Sequence, residues 1–453
     1  MDAKDRRIQE LELIVAAQAR RIDELLARID ELERRLALNS SNSSKPPSSD
    51  GLRKKGKNRS LREVDGNKFG GQIGHKGDTL KQTDNPDISI YYDVEKCSAC
   101  GRPLTDTPAI TIIEKQEVDV VVKKVVTAHK ASVKVCCCGK KNIAAMPEHV
   151  KAPVQYGANV RAMGVYLTNQ FVAKSRIADI FRDLFQLPIS DTALMAFDEE
   201  CAERLAPFDT AVLESIKKAD VKNLDETGMR IANKTQWVHV ASTELLTHYR
   251  INQKRGSLLQ GFVGTVIHDH WKPYFTLKNA QHGLCNAHHL RELKALIEIE
   301  KESWAKDMYD LLKESSRLIN PPPETQRTIS DKYDQIVAAG IEYHNSLGKL
   351  KLDSCKKRAG HNLLVRLRDF KTETLRFLYE AEVPFTNNLA ERDLRMIKVK
   401  QKVSGSFRTE HGANAFAVNR SFISTVQKQN KNIFQYLGNI FNGTFNLNAL
   451  VNA

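Results

Sequence analysis

The sequence predicts a multidomain α+β chain, and three observations predict it. Apolar residues recur with a strict seven-residue period through the first 38 positions. Two cysteine–glycine motifs, at Cys97–Gly101 and Cys136–Gly139, bracket a run rich in β-branched residues. Further on, strand-like runs between Asp220 and Ile267 lie among long helical patterns. The 453 residues leave room for about three domains. Hydrophobic residues at 41% and charged residues at 27% describe a soluble globular chain. A formal net charge of +14 and a pI near 9.3 favour a polyanionic partner, most simply nucleic acid. No run approaches the ~18 apolar residues of a membrane span, and the charged N-terminus lacks a signal-peptide apolar core. The expected compartment is the cytoplasm.

Residues 1–38 are expected to form a coiled coil, a leucine zipper. Ile8, Val15, Ile22, Ile29 and Leu36 occupy the a positions, and Leu11, Gln18, Leu25 and Leu32 the d positions. β-Branched residues mostly at a, with Leu mostly at d, favour a parallel two-stranded coil and hence a homodimer or higher homo-oligomer. An amphipathic helix packed on its own domain would show a similar stripe. Residues 39–90 read as a basic flexible linker that opens on NSSNSSKPPSSD. It carries Arg53, Lys54, Lys55, Lys57, Arg59 and Arg62, then GGQIGHKG from Gly70. Lys54, Lys55, Lys57 and Arg59 are candidate phosphate contacts, and a merely solvated linker has the same composition.

Residues 91–150 are expected to be a small zinc-binding β module. Ile110 to Val135 suggests two strands of a hairpin closed by cysteine knuckles. Cys97, Cys100, Cys136 and Cys138 make a tetrahedral thiolate set for structural Zn2+, and Cys137 could replace Cys136. A redox C-x-x-C needs a strand–helix context that is absent here. Cys201, Cys285 and Cys355 are isolated and read as buried or inert. Residues 151–210 turn helical. SRIADIFRDLFQ, LPIS and DTALMAFDEECAERL resemble helix–turn–helix, with Ser190 or Asp191 as N-cap of the second helix, and form a candidate DNA-binding region.

Residues 211–430 carry the candidate catalytic residues. A strand from Asp220 to Leu224 leads into Asp225, and strands follow at Trp237–Ser242 and Leu246–Ile251. After a short helical stretch, Phe262–Ile267 reads as a strand ending at Asp269. HGLCNAH gives a fifth strand before a helix beginning near His289. That order is RNase H-like, an architecture in which the first and fourth strands are neighbours, so Asp225 and Asp269 would converge. Glu226 should point to the opposite face from Asp225. Residues 290–382 read as an all-helical insertion, broken at Pro321–Pro323. A helix then starts near Asn388 and sets Glu391, Arg395, Lys398 and Lys402 on one face, with Asp393 nearly opposite. Three convergent carboxylates repel one another unless hard Mg2+ or Mn2+ sits between them, and two such ions suit in-line phosphoryl displacement. Singly, each acid has a structural reading: Asp225 capping a turn, Asp269 ending a strand, Glu391 closing an Asn388-x-x-Glu391 capping box. Arg395, Lys398 and Lys402 would hold DNA phosphates. Residues 431–453 read as a C-terminal tail.

NLDETGMR, the Asp269-x-Trp271 element with Tyr274, LCNAHHLREL and PFTNNLAERDLR together resemble the insertion-sequence-66 family of bacterial transposases. The NSSKPPSSDG linker, the GGQxGHKG stretch and the cysteine pairs, in the same order, extend the resemblance over nearly the whole chain. It implies a DDE transposase with an N-terminal leucine zipper, a zinc-binding region, a helical DNA-binding part and an RNase H-like core. Its three acids carry over to Asp225, Asp269 and Glu391, with two Mg2+ or Mn2+ ions per active site. Such an enzyme would bind the terminal inverted repeats of its element and catalyse DNA cleavage and strand transfer, in the cytoplasm at the nucleoid. Accessory proteins encoded by the same element are a further class of partner. The rival readings are a non-catalytic DNA-binding regulator and an RNase H-fold nuclease that cuts without joining.

Overall fold

The computed structural model describes residues 2–43, 80–347 and 358–451. Lys54, Lys55, Lys57, Arg59, the glycine-rich stretch and Cys355 therefore lie outside the described residues. By its contacts the chain divides into two compact units, residues 57–127 and the remainder. In the first, the described residues form extended chain around one knuckle: Gly101 N–H donates to Cys97 O at 2.9 Å, and Cys97 N–H to Arg102 O at 2.9 Å.

The larger unit begins with α1 (Ala3–Ala37), one uninterrupted helix. Its flanks carry the ion pairs Arg7–Glu10, Arg21–Glu24 and Arg28–Glu31. The apolar a/d seam is exposed in the single chain, from 43% at Leu32 to 64% at Leu36. A short hairpin follows, β1 (Val133–Val135) paired antiparallel with β2 (Lys141–Ile143), and the cysteine triplet forms its turn. The two-strand hairpin expected within Ile110–Val135 is not formed: only Val133–Val135 is a strand, and its partner lies beyond the cysteine triplet. Upstream β-branched residues such as Ile110 and Val121 are exposed. β propensity reports a packed, half-buried surface, and among the described residues none offers them an apolar face.

Four helices come next: α2 (Ala158–Asn169), α3 (Lys174–Phe185), α4 (Asp191–Arg204) and α5 (Ala206–Lys218). Ser190 caps α4, its hydroxyl accepting from Ala193 N–H at 3.1 Å. The sheet comprises β3 (Val221–Ile231), β4 (Lys234–Ser242), β5 (Thr247–Asn252), β6 (Gly264–His268) and β7 (Ala280–Leu284), in the order β5-β4-β3-β6-β7. The β3–β4 and β4–β5 pairs are antiparallel, and β3–β6 and β6–β7 are parallel. The first and fourth strands are neighbours, as the strand sequence requires.

The short helix expected between β5 and β6 is a set of turns instead. Gly256 and Gly261 take φ of +87° and +75°, which a helix cannot accommodate. Gly256 N–H donates to His239 Nε2 at 3.0 Å, an acceptor because burial lowers that imidazole to about 4. Beyond β7 the all-helical insertion is present: α6 (Asn286–Ala295), α7 (Ser303–Ser315), α8 (Pro323–Ser346), α9 (Ala359–Asp369) and α10 (Lys371–Tyr379). It encloses its own core, built on Leu293, Met308, Tyr333, Leu364 and Leu375. α6 starts at Asn286 rather than near His289, which makes Cys285 its N-cap residue.

The chain then returns to the sheet with α11 (Asn388–Ser404) and α12 (Glu410–Lys428). Residues read as a tail form α13 (Ile433–Asn442) and α14 (Asn448–Val451), which bury Leu437, Ile440, Phe441 and Leu450. Their core also holds Leu194, Phe208, Leu224 and Phe422, so α2–α5, the sheet and the C-terminal helices share one interior. Among the described residues no helix is long and apolar enough to cross a membrane.

Gly264 shows how tightly β6 is seated. Its φ is +68°, and a Cβ there would stand 2.7 Å from Asp220 O. Gly264→Ala should therefore lower stability by about 1–3 kcal/mol in urea unfolding. An unchanged midpoint would contradict this account of how β6 is placed.

Candidate active site

β3 and β6 run in parallel register up to Asn223↔Ile267. Extending that register by two residues sets Asp225 beside Asp269. β6 ends at His268, so the two acids stand where the ladder opens. Asp225 is therefore in the middle of a long strand rather than at its end. Side-chain alternation puts Asp225 on the face shared by Met229 and Ile231, which pack against Ala390, Leu394 and Ile397 of α11. Glu226 projects to the other face. Its Oε1 accepts from Arg255 Nε at 2.7 Å, and Oε2 accepts from the Tyr274 hydroxyl. Arg255 lies over the rings of Trp237 and Trp271, 4.9 and 4.0 Å from their centroids. Backbone N–H groups hold the two aspartates: Glu226 N–H to Asp225 Oδ1 at 2.8 Å, and Trp271 N–H to Asp269 Oδ1 at 2.9 Å.

Glu391 lies in the first turn of α11, and the start of that helix is fastened to β3. Asn387 Nδ2 donates to Leu224 O at 2.8 Å, and its Oδ1 accepts from Asn223 Nδ2 at 2.8 Å. Asn387 N–H donates to Cys285 Sγ at 3.1 Å. The residue preceding Asp225 is thus bonded to the residue that opens Glu391's helix. No side chain caps that helix, and Asn388 is already its first residue, so the Asn388–Glu391 capping box is not formed. The Glu391 carboxylate instead faces α6. Its Oε1 is 3.7 Å from Cys285 Sγ, 3.8 Å from Arg291 Nη2 and 3.9 Å from His288 Nδ1. Asp393 turns away, its Oδ2 accepting from Ser242 at 2.6 Å and pairing with Lys428 at 2.8 Å.

Burial, then the charges of Glu226, Asp269 and Glu391, hold the Asp225 carboxyl well above the usual range, against the Glu226 N–H. Burial also raises Asp269, opposed by the Trp271 N–H and by Arg255. Glu226 is raised by burial against its Tyr274 and Arg255 partners. Like charges brought together in a poorly solvated place shift in this direction, and a divalent cation relieves the strain. The oxygen donors of Asp225, Asp269 and Glu391 suit Mg2+ or Mn2+. As a trio they are spaced more widely than 4.8 Å; among the described residues, the one group of three metal-capable side chains within that distance is Cys285, His288 and Glu391.

Arg395, Lys398 and Lys402 are exposed along α11, with Lys398 Nζ donating to Gly228 O at 3.0 Å. The knuckle cysteines divide between the two units, Cys97 and Cys100 in one, Cys136, Cys137 and Cys138 in the other. Cys136 is lowered by the Cys138 N–H before any other cause, the way a knuckle prepares a thiolate. In the helix–turn–helix-like pair, α4 carries Asp191, Asp198, Glu199, Glu200 and Glu203 against Arg204. That composition repels phosphate, and on α3 Lys174 is paired with Asp198 of α4 and Arg182 with Asp179 and Asp183.

Sequence reasoning missed Cys285, Arg291 and Arg255, and read Asn387 only as one of three N-cap candidates with Thr386 and Asn388; it is the N-cap residue, but its side chain bonds β3 instead. Cys285, His288 and Arg291 recur every third residue, a helix-face signal available in LCNAHHLREL. Asn387 and Arg255 act through tertiary contacts that leave no periodic trace.

These shifts give a pH dependence. An acid whose folded pKa is raised contributes stability that is fully present below the ordinary carboxylate range and lost as pH rises through the raised value. In chelator, Asp225→Asn should therefore melt higher than the native protein at about pH 8 and converge with it at about pH 4. Mg2+ should raise the melting temperature of the native protein and leave the variant nearly unmoved. Equal melting temperatures at both pH values, with no response to Mg2+, would contradict the electrostatic picture.

Two family models match the chain. One, a family of unknown function (DUF6444), covers residues 2–81, which include α1. Comparison with curated proteins gives no match. The other, described as Transposase IS66 family, covers residues 153–415, from just before α2 into α12 and through all five strands of the sheet and all three acids. With more than half of its length matched, the chain belongs to the IS66 family of transposases.

Proposed function

We propose that the chain is a DDE transposase that binds the terminal inverted repeats of its own element and catalyses DNA cleavage and strand transfer with Asp225, Asp269 and Glu391. The observation that carries this reading is the seating of three carboxyls around one strand: Asp225 and Asp269 at the mouth of the β3–β6 ladder, with Glu391's helix tied to β3 through Asn387. The five-strand order supports an RNase H-like core.

In the proposed reaction, water attacks a phosphodiester at the element's end and frees a 3′-hydroxyl, which then attacks target DNA. Two Mg2+ or Mn2+ ions, when bound, would supply activation of the attacking oxygen and stabilisation of the leaving oxygen. Asp225, Asp269 and Glu391 hold that charge in place. Asn387 and the Cys285 sulfur fix the turn from which Glu391 projects. Arg395, Lys398 and Lys402 bind the phosphate backbone along α11 and orient the scissile bond, without reading sequence.

Purified protein, Mg2+ and DNA carrying the element's ends test the proposal. Cleaved ends and joined product are expected, and Asp269→Asn or Glu391→Gln should each slow both steps on the order of a hundredfold or more. Joining that survives in either variant would remove the catalytic assignment. Cutting without joining would point to a nuclease.

The partner proposed for the exposed seam of α1 is a second copy of the chain, in a parallel coiled coil. Leu25→Asp should convert dimers to monomers in sedimentation equilibrium; an unchanged mass would exclude the zipper.

A further inference from the structure

The carboxylate of Glu391 has neighbours that a site for hard cations does not need. Cys285 Sγ, a nitrogen of His288 and a Glu391 oxygen all lie within 4.8 Å of one another. Cys285 is the N-cap residue of α6, so its sulfur sits at the positive end of that helix, and Asn387 N–H donates to it at 3.1 Å. These two features oppose burial and the Glu391 carboxylate, which push the Cys285 thiol up to about 12, so the sulfur is a thiol until a cation displaces its proton. His288 Nδ1 is buried and makes no hydrogen bond, although it looks onto Glu391 at 3.9 Å. A buried ring nitrogen in that position lacks a partner that a cation would provide. One sulfur, one imidazole and one carboxylate form a donor set suited to a borderline-soft ion. Arg291 stands 3.8 Å from the same Glu391 oxygen and would have to yield part of its contact.

We propose that Cys285, His288 and Glu391 form a binding site for Zn2+ or a similar soft divalent cation, sharing Glu391 with the carboxylate cluster of Asp225 and Asp269. Binding releases the Cys285 proton to solvent, and the two anionic ligands balance the charge of the ion. The fourth position of a tetrahedron stays open to water. Because a Glu391 oxygen committed to zinc is withdrawn from the aspartates, zinc and magnesium compete for the site. The geometry concerns the same Glu391 that the functional proposal uses, but the binding claim stands without any catalysis.

The test is Zn2+ stoichiometry and affinity on the full-length protein, measured by titration calorimetry and metal analysis after dialysis. Cys285→Ser and His288→Gln, each checked for folding by circular dichroism, are compared with the native chain. The native protein should bind one more equivalent of Zn2+ than either variant, or bind that equivalent at least about tenfold more tightly. Co2+ substituted for Zn2+ should show a thiolate charge-transfer band that is diminished in Cys285→Ser. Identical stoichiometry and affinity in the native chain and both folded variants would overturn the site. Loss of the extra equivalent in the variants supports it, even if none of the proteins cleaves DNA; that pairing would count against the transposase reading alone.

Discussion

Bringing carboxylates together where water is scarce is unfavourable, and the fold around Asp225 is organised to enforce it. The parallel pairing of β3 with β6 puts Asp225 beside Asp269, and nothing local could achieve that, because the two residues belong to different strands. Asn387 then draws α11 onto the same strand by bonding Leu224 O and Asn223. Asp225 is held above its ordinary range by burial and by the charges around it. A site that resists ionisation when empty is one that gains most from a bound cation.

The surroundings of this centre are stiff. Behind Asp269, His268 stacks on Tyr274 with centroids 4.5 Å apart and meets His282 at 2.9 Å. On the far face of β3, Glu226 is clamped by Arg255 and Tyr274, and Arg255 itself lies over the rings of two tryptophans. Asp393, which lies two positions from Glu391, anchors the other side of α11 to Lys428, Ser242 and Thr247. Placing chemistry on strands and helices locked in this way limits the drift of each carboxylate.

Much of the architecture could be read from the chain because it is written as period or order. The heptads from Ile8 to Leu36 gave a helix of the expected length. The succession of strands implied that the first and fourth would be neighbours, and with it the meeting of Asp225 and Asp269. What the chain concealed depends on contacts between distant segments. The β-branched residues of 110–132 have high strand propensity and no strand, because propensity needs a partner surface to act on. QKRGSLLQG looked helical until its two glycines took left-handed conformations. The Asn-rich end of the chain looked like a tail, yet Leu437, Ile440 and Phe441 bury one face of α13 in the common core. Cys285 reads as isolated in sequence, yet its sulfur accepts from Asn387 N–H at the start of α11.

The central claim is that Asp225, Asp269 and Glu391 together hold the divalent ions of the site. Anomalous scattering from crystals of the protein grown with element-end DNA and Mn2+ tests it most directly. The account predicts manganese peaks bounded by oxygens of all three side chains, lost in Asp225→Asn. Manganese located elsewhere, or held by the aspartates with Glu391 left out, would contradict it.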